Sequence, residues 1–323
     1  MFPENRPRRL RSSEMIRRLV KETGLYLDKL VMPVFVDETI KKPTDIKSMP
    51  GIKSYDLASL KDYAKVLKNL GVKNVLLFGI PAEKDQGGSQ SYAENGIVQK
   101  AVPILKGEGL LVMTDLCMCE YTSHGHCGII RNNVVENDIT LEYYGKIAVS
   151  QAKAGAEVIA PSGMMDGQVA KIRKELDENG FPEIPIMAYS AKYSSALYGP
   201  FRDAAKSTPS FGNRKSYQMD WANSKEALRE IDLDVKEGAD IIMVKPGMFY
   251  LDVVKEASEK FLQPLAVYGV SGEYSMIMNA INDGLLSDEV ILEYVTSIFR
   301  SGADIVITYF TEYLHGHLGK NLN

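Results

Sequence analysis

Short apolar, often β-branched runs recur along the chain and alternate with stretches whose apolar residues return every three to four positions. Eight such runs read as strands: residues 30–36, 74–80, 110–115, 157–162, 184–190, 240–246, 264–270 and 304–310. The segments between them, such as Asp56 to Gly71 before the second run and Asp288 to Ala303 before the eighth, carry a helical stripe and end at or beside a glycine. Eight strands, each joined to the next through a helix, predict a closed parallel (β/α)8 TIM barrel of the α/β class. A doubly wound open sheet is the main rival, but no glycine-rich dinucleotide loop follows the first run.

Ahead of the first strand, residues 5–24 are polar, arginine-rich and poorly amphipathic. The expected division is an N-terminal arm for subunit contacts over residues 1–24 and a catalytic barrel over 25–323, the plain alternative for the arm being a frayed terminus. Two connections exceed what a turn requires, roughly 116–140 and 191–220. Both follow the C-terminal ends of strands, the face on which barrels carry their chemistry.

Composition narrows the function. The 323 residues are 45% hydrophobic and 25% charged, enough apolar matter for a large core, and the formal charge of −4 offers no general attraction to nucleic acid or an anionic membrane. A small-molecule substrate is expected. No apolar run reaches the roughly 18 residues that span a bilayer, and the basic start R-P-R-R-L-R leads into no signal-like core, so a cytoplasmic location is expected. All three cysteines fall between positions 117 and 127, a spacing better suited to a soft metal than to a disulfide framework.

The first long loop reads D-L-C-M-C-E-Y-T-S-H-G-H-C-G. Three thiolates from Cys117, Cys119 and Cys127 can hold Zn²⁺ and leave a fourth position open for chemistry; His124 or His126 would close the site into a structural one. Lys192 lies just past the fifth run and Lys245 ends the sixth. Burying an ammonium is costly, so both need a reason to be there. At adjacent barrel mouths they could share a cavity, where desolvation and mutual repulsion lower a lysine pKa and make a nucleophile for ketones. The plain alternative is two strand-end lysines reaching solvent. The second loop interleaves Arg202, Lys206, Arg214, Lys215 and Gln218 with Tyr193, Tyr198, Phe201 and Phe211. It reads as a lid that binds a carboxylate and excludes water, or as a solvated basic loop.

With these motifs in view the chain closely resembles the porphobilinogen synthase (5-aminolevulinate dehydratase) family over nearly its whole length. The resemblance runs through the cysteine loop, A-P-S-G-M-M-D-G, M-A-Y-S-A-K-Y-S-S-A-L-Y-G-P-F-R, M-V-K-P-G-M and A-V-Y-G-V-S-G-E-Y-S-M. It implies condensation of two 5-aminolevulinate molecules in tetrapyrrole (heme) biosynthesis. Lys245 would form a Schiff base with the molecule that becomes the propionate side, and Lys192 with its acetate-side partner. Arg202, Arg214 and Gln218 would hold the acetate-side carboxylate and Ser271 and Tyr309 the propionate-side one, with Tyr268, Tyr189 and Phe201 lining the pocket. Asp115 and Ser162 are expected near the metal or the reacting amine. The cysteines place the chain in the zinc-dependent branch; Glu230 matches an allosteric Mg²⁺ position, and a homo-octamer with wrapping arms is implied. Two rivals remain: a one-lysine sugar-phosphate aldolase, with V-S-G-E-Y-S as a conceivable phosphate turn, and a non-catalytic zinc-stabilised scaffold, which chelation would unfold.

Overall fold

The computed structural model describes residues 4–318, so the first three and last five residues of the expected arm and barrel lie outside it. Eight parallel strands form the barrel: β1 (Leu30–Asp37), β2 (Asn74–Ile80), β3 (Leu111–Leu116), β4 (Val158–Pro161), β5 (Met187–Lys192), β6 (Ile241–Lys245), β7 (Leu265–Gly269) and β8 (Ile305–Thr308). They pair in sequence order and β8 returns to β1. The seam between β4 and β5 is the thinnest, a single bridge of Ile159 with Ile186. There Pro185 accepts a 3.1 Å bond from the Ile159 N–H but has no N–H to return, and the ladder stays short.

The helices lie outside the strands and bury one stripe each. In α1 (Leu57–Leu70) the Asp56 carboxylate caps the Ala58 and Ser59 N–H groups at 3.0 and 3.3 Å, and Leu60, Tyr63, Ala64 and Leu67 face inward. The helix stops at Gly71, whose φ of +87° a residue with a Cβ adopts only at a cost. α2 (Ile97–Gly107), α3 (Asn137–Lys153), α4 (Gln168–Glu178), α5 (Ser224–Glu237), α6 (Leu251–Lys260) and α7 (Ser271–Asn282) follow the next strands in turn. In α8 (Glu289–Arg300) the buried set Ile291, Tyr294, Val295, Ile298 and Phe299 keeps the helical spacing seen in the sequence, and α9 (Thr311–Leu318) ends the described chain.

The arm is a short 3-10 turn (Pro7–Arg11) and a helix (Glu14–Leu19) that bury nothing; Met15 and Leu19 are each 83% exposed. At the C-terminal mouth, aromatic rings from several strands converge: Phe35 stacks on Phe78 at 5.5 Å and on Tyr309 at 6.3 Å, and Tyr268 meets Tyr189 and Tyr309. Phe201, from the lid helix Gly199–Ala204, closes over Phe35 and Phe78. Such rings make a dry, low-dielectric floor for the groups that enter it.

Candidate active site

β5 extends two residues beyond its sequence-based limit, so Lys192 is the last strand residue rather than the second one past it. The cause is pairing with β6, where an irregularity between Ile242 and Val244 shifts the register by one. Ala188 lies opposite Ile242, but Lys192 lies opposite Lys245. Neighbours in register project to the same face, so the extra residue turns both amines into the mouth. Each lysine is 5% exposed. The Tyr189 ring is 4.9 Å from Lys245 Nζ and 5.6 Å from Lys192 Nζ, which places both amines around one ring.

Lys245 Nζ sits 3.9 Å from the centroid of Tyr268, with Phe201 and Tyr198 at 5.3 and 5.5 Å. Burial first, and the Lys192 charge second, push its pKa down to about 7. Lys192 Nζ instead donates a 2.5 Å bond to the Ser162 carbonyl. Asp115 is buried beside them, accepts from Ser162 Oγ at 3.1 Å, and is pushed up to about 7 by desolvation and by Glu120. Glu120 itself is 2% exposed and held above the usual carboxylate range by burial. Sequence reasoning passed over it; an acidic residue directly after Cys119 was the available signal.

The three cysteines are buried, reduced, and bring their sulfur atoms within 4.8 Å of one another. Cys127 is held well below the usual thiol range by hydrogen bonds from Cys117 and Cys119, helped by the positive charges of Arg214 and Lys192. Three crowded, desolvated sulfurs favour a soft divalent cation over three protons, so the donor set fits Zn²⁺. Neither histidine joins it. His126 uses Nδ1 toward the Tyr217 hydroxyl and Nε2 toward the Phe211 carbonyl, both at 3.0 Å. His124 uses Nε2 toward the Gln86 carbonyl at 3.3 Å and Nδ1 to accept the His126 N–H at 3.1 Å. Sulfur alone therefore forms the site, which suits an open coordination position.

The lid brings Arg202, Arg214 and Gln218 together around a 620 Å³ cavity. Arg202 Nε, Arg214 Nε and both amide atoms of Gln218 are buried without a protein partner. A cluster of buried donors left in this way is arranged for an anionic acceptor such as a carboxylate. Of the two other lid cations, Lys206 turns away to Asp37, while Lys215 lines the cavity with its amine 5.9 Å from the Trp221 ring. Ser271 Oγ accepts the Phe201 N–H at 2.9 Å and donates to the Leu197 carbonyl at 3.3 Å, which ties the lid to the start of α7; the Tyr309 and Tyr268 hydroxyls meet at 3.2 Å. Glu230, on α5, lines a 290 Å³ cavity with Asp166 and Glu226; this cavity shares Lys215 and Gln218 with the lid cavity but is lined by neither Lys192, Lys245 nor any of the cysteines. Burial, then those two carboxylates, hold it above its usual range.

The V-S-G-E turn after β7 is not a phosphate cradle. Glu273 is fully buried there and takes the Val270, Gly247 and Met248 N–H groups at 2.8 to 2.9 Å, so a carboxylate already occupies the donors an anion would need.

A parallel barrel whose mouth gathers two buried amines, one depressed toward neutrality, three clustered thiols and a lid of unpartnered buried donors has the parts of a barrel enzyme. Residues 4–316 match the family described as delta-aminolevulinic acid dehydratase, and the chain belongs to that family. It is 55% identical to the delta-aminolevulinic acid dehydratase of Methanothermus sociabilis, over 96% of this chain and 97% of that one. With the Bacillus subtilis enzyme of the same name it is 51% identical, over 94% and 95%. The Toxoplasma gondii ME49 delta-aminolevulinic acid dehydratase (porphobilinogen synthase), solved with the reaction product porphobilinogen, superposes with a TM-score of 0.96 at 37% identity, covering 99% of this chain and 93% of that one. The chain is accordingly a lyase with a barrel fold.

Proposed function

We propose that this protein condenses two molecules of 5-aminolevulinate to porphobilinogen with loss of two waters, through Schiff bases on Lys245 and Lys192. The observation that carries the reading is the in-register pair of buried lysines sharing the Tyr189 ring, with three sulfurs on the loop after β3.

Lys245, near neutrality at physiological pH, attacks the first ketone, and the resulting iminium acidifies the adjacent carbon. Ser271 and Tyr309 orient that molecule's carboxylate, while Tyr268, Tyr189 and Phe201 exclude water. Arg202, Arg214 and Gln218 take the carboxylate of the second molecule, whose ketone meets Lys192. Holding both molecules in one pocket makes the bond-forming step unimolecular, an advantage of about 7 to 11 kcal/mol when alignment is good. Asp115, titrating near 7 next to Ser162, is suited to carry a proton between carbon and amine. Zn²⁺ held by Cys117, Cys119 and Cys127 would supply Lewis acidity at the second molecule's oxygen or amine.

Glu230, with Asp166 and Glu226 beside it, is the candidate allosteric Mg²⁺ position. The arm, with its exposed Leu10, Met15 and Leu19, is the candidate contact that wraps a neighbouring subunit in a homo-octamer. Among the described residues no helix is long and apolar enough to cross a membrane. Three reduced thiols suit a cytoplasmic setting.

The test is pyrrole formation from 5-aminolevulinate by zinc-loaded protein. Lys245→Ala is expected to abolish turnover and Lys192→Ala nearly so, both with an unchanged circular dichroism spectrum. Substantial activity in either variant would contradict the two-lysine mechanism.

A further inference from the structure

On the reading of Arg214 as a carboxylate binder, we propose that Lys206 is a positioning residue. Anchored to Asp37 on the barrel rim, it latches the lid and sets the Arg214 guanidinium for the second substrate molecule.

Asp37 is the last residue of β1, and its side chain is 4% exposed. Its Oδ1 accepts the Thr39 N–H at 2.8 Å and the Thr39 hydroxyl at 2.7 Å, leaving Oδ2 to face the lid. Lys206 Nζ reaches that oxygen at 2.9 Å and Thr39 Oγ1 at 2.6 Å. The Lys206 carbonyl is gripped separately, by Lys84 Nζ at 2.6 Å from the loop after β2. One lid residue is therefore fixed at both ends by two loops of the rigid barrel. Its φ of +49° is a left-handed conformation that disfavours a residue with a Cβ by about 1–2 kcal/mol, a bias that those contacts must overcome.

The next residue transmits the constraint. The Ser207 carbonyl accepts Arg214 Nη2 at 2.6 Å, and the same nitrogen reaches the Gly125 carbonyl of the cysteine loop at 2.9 Å. Both acceptors aim the guanidinium and leave Nε free for a ligand. An ion pair in open solvent would contribute little, but here the carboxylate is buried and its geometry is fixed by Thr39. Lys245 is held by β6 and contacts none of these groups, so loosening the latch separates capture of the second molecule from Schiff-base formation by the first.

The experiment uses full-length, zinc-loaded Lys206→Gln, Lys206→Arg and Asp37→Asn proteins. The expected result for Lys206→Gln and Asp37→Asn is a rise in KM of about ten-fold with a smaller change in kcat, and faster tryptic cleavage after Arg214 or Lys215 at saturating substrate. Lys206→Arg, which keeps the cation, restores most of the KM. Borohydride labelling of Lys245 by levulinate, the same keto acid without the amine, stays at the wild-type level. An unchanged KM in both neutralising variants, or an equal loss in Lys206→Gln and Lys206→Arg, overturns the proposal. No label on Lys245 in the wild-type protein would instead overturn the functional reading, and the latch with it.

Discussion

The sharpest quantitative consequence concerns the reactivity of Lys245 as a function of pH. Its pKa falls from the ordinary 10.5 to about 7, chiefly through burial and secondly through Lys192. At pH 7 about half of such an amine is neutral, against about one part in three thousand for an unperturbed lysine, so the site gains on the order of 10³ in nucleophile. The assay is trapping of levulinate with cyanoborohydride, chosen because this keto acid brings no titrating amine of its own. The labelling rate should rise about ten-fold between pH 6 and 8 and then level off. Lys192→Gln removes the second-largest cause but not the first, so the midpoint should move upward and stay below 10.5. A rate that keeps rising ten-fold per pH unit through pH 9, with no plateau, would refute the claim that the fold activates this amine. So would a midpoint that Lys192→Gln leaves unmoved.

Two further outcomes follow from packing and exposure. A Cβ at Gly163 would lie 1.6 Å from the Tyr144 hydroxyl, which donates a 2.6 Å bond to the Cys127 carbonyl. Gly163→Ala should therefore cost about 1–3 kcal/mol by chemical denaturation and lower the zinc retained per chain; normal metal content would remove Tyr144 as a support of the cysteine loop. Deleting residues 1–24 should give smaller assemblies and weaker activity by sedimentation and turnover, since no apolar side chain among the described residues 4–24 is fully buried; an intact octamer would reject the arm's role.

The strand order was readable from the sequence because parallel barrel strands are buried on both faces and appear as continuous apolar runs. The fifth strand was misjudged at both ends. Pro185 delays its start, and its end is set by cross-strand pairing with β6, a non-local interaction that the polar string S-A-K does not announce. The cysteines and lysines stood out chemically, as thiols in a short loop and ammonium groups at the ends of apolar strands. Asp37 and Lys84 did not, and Lys206 stood out only as one of several lid cations, because an acid and two amines far apart in the chain look like ordinary solvated charges until the lid folds back over β1. Glu273 escaped for a related reason. Its three backbone partners come from two different loops, and only the closed barrel brings them to one carboxylate.

The most direct measurement of the central claim is peptide mapping by mass spectrometry after the zinc-loaded protein is incubated with 5-aminolevulinate and reduced with borohydride. The arrangement of amines, sulfurs and lid donors predicts a covalent adduct on Lys245, lost in Lys245→Ala. An adduct confined to other lysines, or none in a protein that still makes product, would contradict it.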